Sequence, residues 1–335
     1  MKEPAQLIAL CQSRFVQPST VKKLTITKCD AGWSFQQFHN LTTLDCSGSE
    51  LLSTGCFDDL TLLTSLRCRG CINITKGCFD TLVNLTELDC SFCGSLQVGS
   101  FDQQSKLTSL NCAYCLNLGE GSFTALVNLT SLSCHHSGWK LCPNFNSKCF
   151  DGLTNLTILD CSHCTLANPK SFDALDNLTQ LNCSECGPSL NDHSFDELVN
   201  LTSLDCSNCK ALRTQCFNNL CNLTKLECAS CNLKTGCFDS LTQLTTLNCN
   251  GCRSVAHGSF DKLTKLTSLN CASCEKLNDD SFDHLVNLTD LNCRHCSQSY
   301  YCFKRLLNLK TLSWDYDQRS IYQQAYPNRR ITLEW

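Results

Sequence analysis

The chain repeats itself every 22 residues. Residues 63–84 read LTSLRCRGCINITKGCFDTLVN, residues 201–222 LTSLDCSNCKALRTQCFNNLCN and residues 266–287 LTSLNCASCEKLNDDSFDHLVN. The shared template is L-T-x-L-x-C-x-x-C-x-x-L-x-x-x-[S/C]-F-D-x-L-x-N. Twelve units, starting at Leu41, Leu63, Leu85, Leu107, Leu129, Leu156, Leu178, Leu201, Leu223, Leu244, Leu266 and Leu288, fill residues 41–308. The unit at 129–155 is enlarged, the one at 178–200 is a residue longer, and those at 223–243 and 288–308 are a residue shorter. A segment this short cannot bury its own apolar face. Neighbouring units must therefore stack, each stabilised by the next.

Within a unit, positions 4 to 6 alternate with a period of two. A short strand follows, with the leucine at 4 and the cysteine at 6 facing in and positions 3 and 5 facing out. In the second half of the template, the phenylalanine at position 17 and the leucine at position 20 stand three apart behind Ser or Cys, with Asp in what would be a first turn. This spacing predicts one or two turns of α- or 3-10 helix with Phe and Leu buried. Parallel strands about 4.8 Å apart would form an inner sheet, with right-handed crossovers.

A fixed period with L-x-x-L-x-[apolar]-x-x-[N/C] in each unit is similar to the leucine-rich repeat family, over nearly the whole chain. Cys at position 9 followed by Leu at 12 most resembles its cysteine-containing class, although the unit is shorter and position 6 is Cys where Leu is usual. The resemblance implies an α/β, right-handed leucine-rich-repeat solenoid, a horseshoe or arc. Its parallel sheet would line the concave face and short helices or 3-10 turns the convex face. That class often occurs in substrate receptors of ubiquitin ligases, but residues 1–40 contain no F-box. Residues 1–40 are expected to hold an N-terminal cap, with a short helix over 1–20 and a degenerate first unit VKKLTITKC. Residues 41–308 are the twelve repeats. Residues 309–335 are a C-terminal cap, with Trp314 in the position-6 slot and Ile331, Leu333 and Trp335 alternating like a further strand. All of this reads as one continuous domain.

The chain has 32 cysteines in 335 residues, and almost all fall into columns. Position 6 is Cys in every unit; position 9 is Cys except at Ser49 and Ser137; position 16 alternates between Cys and Ser. C-x-x-C recurring every 22 residues fits a four-cysteine zinc spacing, but the structural period produces that spacing by itself. The reading adopted is that the thiols are small buried packing groups, with the position-9 thiol capping the turn after the strand. No metal and no cofactor is expected. The recurring N-L-T sequons, such as Asn84, Asn128 and Asn200, are read as turn asparagines bonding nearby backbone, not as glycan acceptors.

Function has to be argued from exposed positions. Position 5 is a mostly acidic and amide column that includes Arg67 and Asp89. Position 8 reads Phe92, Tyr114, His136 and His163 over four successive units, with His135 alongside. Aromatics gathered on a polar surface are the chemistry of interaction hot spots. The enlarged unit adds Trp139 and Phe145, and insertions in solenoids often shape the binding face. The candidate partner-binding residues are therefore Phe92, Tyr114, His135, His136, Trp139, His163, Arg67 and Asp89. Three histidines without a carboxylate at ligand spacing do not make a metal site. No P-loop, dinucleotide, nucleophile-elbow or H-E-x-x-H motif is present.

These observations predict a non-catalytic protein–protein interaction scaffold that uses the concave face and the 135–148 insertion. The alternatives are a structural or assembly subunit without a soluble partner, and a zinc- or redox-responsive thiol array. The formal charge of −4 gives no basic footprint for nucleic acid or membrane, and no small-molecule substrate is expected. A start without a basic segment and long apolar run leads to the expectation of a cytoplasmic protein with reduced thiols.

Overall fold

The computed structural model describes residues 17–26, 29, 35–136, 144–145, 148–166, 168–315, 319–327, 329 and 331–334. The helix expected over 1–20 lies outside the described residues apart from its last turn. The chain packs as two compact units, Met1–Ala167 and Asn168–Trp335, and each is a parallel β-solenoid. In the first, the strands Lys23–Thr25, Thr43–Asp45, Ser65–Arg67, Glu87–Asp89, Ser109–Asn111, Ser131–Ser133 and Ile158–Asp160 pair successively in parallel. Their position-4 leucines, Leu24 through Leu159, lie in register, so each 22-mer is one coil. The second unit repeats the pattern from Gln180–Asn182 to Thr332–Glu334. Each of these strands is three residues long, the stretch over which the apolar alternation holds.

The return path of most coils takes the 3-10-turn form of the expectation and not the helical one. It is a chain of backbone turns, such as Leu60 N–H to Phe57 O at 2.9 Å and Leu63 N–H to Leu60 O at 3.0 Å. Among the described residues, helix is confined to 3-10 segments at Pro18–Thr20, Gln36–Phe38 and Tyr300–Phe303 and an α-helix at Arg319–Ala325. The physical reason is length. About a dozen residues must recross the core, and an α-helix advances only ~1.5 Å per residue, whereas open turns cover more ground. The position-16 Ser or Cys is accordingly no forward N-cap. It accepts from the backbone N–H three residues earlier, as in Asn278 to Ser281 Oγ at 2.9 Å and Thr75 to Cys78 Sγ at 3.3 Å.

The core is built of columns. Phe35, Phe57, Phe79 and Phe101 stack at 6.0–6.3 Å between centroids, and Phe172, Phe195, Phe217, Phe238, Phe260 and Phe282 do the same at 6.1–6.4 Å. The position-6 thiols are fully buried, and burial pushes those of Cys90, Cys112 and Cys228 up. The position-9 thiols form a ladder. They donate to the position-6 carbonyl of the preceding coil, as in Cys93 to Cys68 at 3.2 Å, Cys115 to Cys90 at 3.2 Å, Cys231 to Cys206 at 3.2 Å and Cys274 to Cys249 at 3.2 Å. The position-9 thiol thus ties one coil to the next instead of capping its own turn.

Two polar ladders flank the core. Position-2 threonines donate to the previous threonine's carbonyl, as in Thr86 to Thr64 at 3.1 Å and Thr267 to Thr245 at 3.1 Å. The sequon asparagines also reach one coil back, with Asn84 Nδ2 to Thr61 O at 2.9 Å and Asn200 Nδ2 to Asp176 O at 2.8 Å. They bond a neighbouring coil and not a local turn, which satisfies carbonyls that a turn-rich return path would otherwise strand. Near the C-terminus Trp314 fills the position-6 slot, 5% exposed and edge-on to Phe303 at 4.9 Å. Leu333 pairs in register with Leu312.

Candidate functional site

The site is the turn that leaves each strand. Position 8 has a left-handed backbone in coil after coil: φ is 62° at Phe92, 62° at Tyr114, 59° at His163, 58° at Glu185, 63° at Asn208 and 59° at Ser230. Glycine, which adopts this conformation without strain, occupies the position at Gly48, Gly70 and Gly251. The next coil fixes the conformation, since Phe92 N–H donates to Ala113 O at 2.8 Å and Tyr114 N–H to His135 O at 3.0 Å. Position 5 supports it from below. Asp89 Oδ1 accepts from Ser91 N–H at 3.1 Å and Ser91 Oγ at 2.7 Å, and Asn111 Oδ1 accepts from Ala113 N–H at 3.2 Å. Much of the acidic and amide column is thus engaged in closing its own turns.

In the first unit this scaffold carries a stack. The Arg69 guanidinium lies over Phe92, 4.8 Å from the ring centroid. Phe92 stacks on Tyr114 at 4.2 Å and 11°. Tyr114 is met steeply by His135 at 5.5 Å and 79° and by His136 at 6.1 Å and 70°. His135 Nδ1 lies 2.9 Å from Ser133 Oγ and 3.1 Å from Asp160 Oδ2. Phe92 is 39% exposed, while Tyr114, His135 and His163 are half-buried.

His135 and His136 are electrostatically unlike. The bond to Asp160 raises His135 above its ordinary pKa against the opposing effect of burial. Burial pushes the Asp160 carboxyl up, but bonds from His135 and Ser162 hold it low on balance. His136 is only 3% exposed, its Nδ1 has no hydrogen-bond partner, and burial together with its neighbours His135 and His163 drives it from 6.5 to about 4. His136 is therefore a neutral buried support for Tyr114 and not the exposed contact the sequence suggested.

Phe92, Tyr114 and His135 come together as the sequence predicts. Arg67 and Asp89 sit opposite each other in register on adjacent strands, beside the strip. Trp139 lies outside the described residues; of the insertion, Asn144–Phe145 pairs in parallel with Thr165–Leu166. Arg69 and Asp160 were missed, and the signal available was their offset of one coil from Phe92 and His135. Among the described residues no group of three or more His, Cys, Asp or Glu side chains is arranged to hold a metal ion, and no helix is long and apolar enough to cross a membrane.

Residues 31–157, 140–245, 165–289 and 210–332 match the family described as BspA type leucine rich repeat region, in 6 copies. No curated protein sequence matches the chain significantly. Among solved structures, the chain is similar to an internalin, InlF, from Listeria monocytogenes, with 19% identity over 91% of this chain and 92% of that one and a TM-score of 0.76. It is similar to the functional domain of InlJ from the same organism, described as including a cysteine ladder, at 23% identity, 88% and 68% coverage and a TM-score of 0.64. A chain of the Drosophila Toll–Spatzle complex is also similar, at 21% identity, 86% and 43% coverage and a TM-score of 0.69. At these identities the shared property is the fold.

Proposed function

The chain belongs to the BspA-type leucine-rich-repeat family, and from that premise we propose that it is a non-catalytic recognition module that binds another protein through the strip Arg69–Phe92–Tyr114–His135. One observation carries the reading. Phe92 and Tyr114 hold left-handed backbone at a position where three other coils use glycine. A bulky residue there costs on the order of 1 kcal/mol or more. What sets these two apart from the other left-handed sites is that their rings are stacked and partly exposed, which is hot-spot chemistry. Ser133 Oγ and Asp160 Oδ2 both lie against the same nitrogen of His135, Nδ1, so the three do not line up as a nucleophile–base–acid relay, which supports a non-catalytic reading. A thiol that donates to a backbone carbonyl must carry its proton, a role that fits a reducing compartment, and we infer a cytoplasmic location. The Toll–Spatzle complex is a case of this fold in an assembly with a second protein.

The test is photo-crosslinking. Arg67, exposed beside the strip, is replaced by a photoreactive phenylalanine in the full chain and irradiated in native extract. Tyr114→Ala in the same background should abolish the crosslinked species, while the same photoreactive residue at Lys225 should yield none. Crosslinking that persists in Tyr114→Ala would refute the assignment.

A further inference from the structure

We propose that the strip takes an acidic peptide segment of its partner, one that sets an aromatic or aliphatic side chain between carboxylates. This rests on the strip being a recognition surface and adds the chemistry of what it recognises. From the coil beginning at Leu41 to that beginning at Leu156, positions 7 and 8 contain Arg69, His135, His136 and His163 as titratable residues and no carboxylate. The carboxylates one step inward are already engaged: Asp89 by Ser91, Asp160 by Ser162 and His135, Glu87 by Ser65 Oγ at 3.1 Å. Arg67 and Arg69 have the complementary charge, and both are at the surface.

The ring geometry points the same way. Phe92 is covered on one face by Arg69 of the preceding coil and on the other by Tyr114 of the following one. An incoming group therefore meets ring edges, which carry partial positive charge, and a guanidinium able to grip a carboxylate in two parallel bonds. Carboxylates along the edge of the stack, with one apolar anchor against Phe92 and Tyr114, match this surface in charge and shape.

The experiment uses the full-length protein and fluorescently labelled random copolymers. Poly(Glu,Tyr) is the probe, with poly(Lys,Tyr) and an oligouridylate as comparisons, read by anisotropy. Poly(Glu,Tyr) should bind, and both Arg69→Glu and Tyr114→Ala should weaken it at least tenfold with melting temperatures near that of the parent. Lys210→Glu, the same charge change on an exposed residue of the second unit, should leave binding unaltered. Poly(Glu,Tyr) binding that Arg69→Glu leaves unchanged would overturn the proposal. So would a preference for poly(Lys,Tyr) that depends on Tyr114, although recognition by the strip would then stand. Oligouridylate binding lost in Tyr114→Ala would replace the peptide by nucleic acid and overturn both.

Discussion

The two units share one backbone device and use it differently. In the second unit the left-handed position-8 sites carry Glu185, Asn208, Ser230, Gly251, Ser273 and His295, small or polar groups with no aromatic hydrocarbon ring among them. In the first they carry Gly48, Gly70, Phe92, Tyr114 and His163. In both units an Asp or Asn at position 5 closes most of these turns by accepting from the position-7 N–H, as Asp89 does for Ser91 at 3.1 Å and Asp205 for Ser207 at 3.0 Å. The coil therefore dictates the dihedral angle, and the side chain placed on it is free to serve something else. Among the described residues, the first unit alone uses that freedom for a contiguous aromatic stack.

The largest effects should fall where the units are alike. Phe79→Ala and Phe217→Ala each remove a fully buried ring from a stacked column. Each should cost about 3–5 kcal/mol in urea unfolding. A loss under about 1 kcal/mol in either unit would break the claim that the cores are equivalent.

Acid should separate them next. His136 is buried with a pKa near 4, whereas His193, His257, His284 and His295 of the second unit are exposed. A depressed histidine pKa means that the unfolded chain binds the proton more readily. Its stabilising contribution is thus complete above about pH 6.5 and is lost as pH falls toward 4, by about 3 kcal/mol in full. Protection factors at Ser131–Ser133, which take out the intrinsic slowing of amide exchange in acid, should fall over that range in the parent and less so in His136→Leu. An equal fall in both would remove His136 from the explanation.

A smaller effect probes the turn itself. Placing Phe at Gly251, where φ is +72° and a Cβ would lie 3.2 Å from Ser230 Oγ, should destabilise by about 1–3 kcal/mol, a measure of what the first unit tolerates at Phe92. No change in melting temperature would show that the position is not strained. The smallest effect is at Ser49, the position-9 serine whose buried Oγ has no partner. Ser49→Cys should restore the thiol ladder and raise stability by up to about 1 kcal/mol, as read from the unfolding midpoint.

Much of this was legible in the sequence because the period transmits it. Leu44, Leu66 and Leu88 announce in-register strands, and the invariant Cys46, Cys68 and Cys90 announce a buried column. The strip was legible as Phe92 and Tyr114 recurring at one offset, with His135 one residue short of it. The left-handed backbone was encoded too, in Gly48, Gly70 and Gly251 sharing that offset with them. The contacts between coils were not. Asn84 and Cys93 both look like local turn residues, and the groups they bond, Thr61 and Cys68, lie one full period back. Side-chain direction on a turn depends on φ, which composition does not report. Hence Asp89 read as an exposed contact when its carboxylate caps Ser91, and His136 read as exposed when its ring is buried.

The account turns on strain at Phe92 and Tyr114 being kept for recognition and not for folding. The double replacement Phe92→Gly/Tyr114→Gly tests this directly, with thermal unfolding and the Arg67 photo-crosslink measured on the same preparation. The account predicts stability within about 1 kcal/mol of the parent, because relief of the left-handed backbone offsets the lost ring contacts, together with loss of the crosslinked species. A protein that melts several degrees lower, or one that still crosslinks in full, would contradict it.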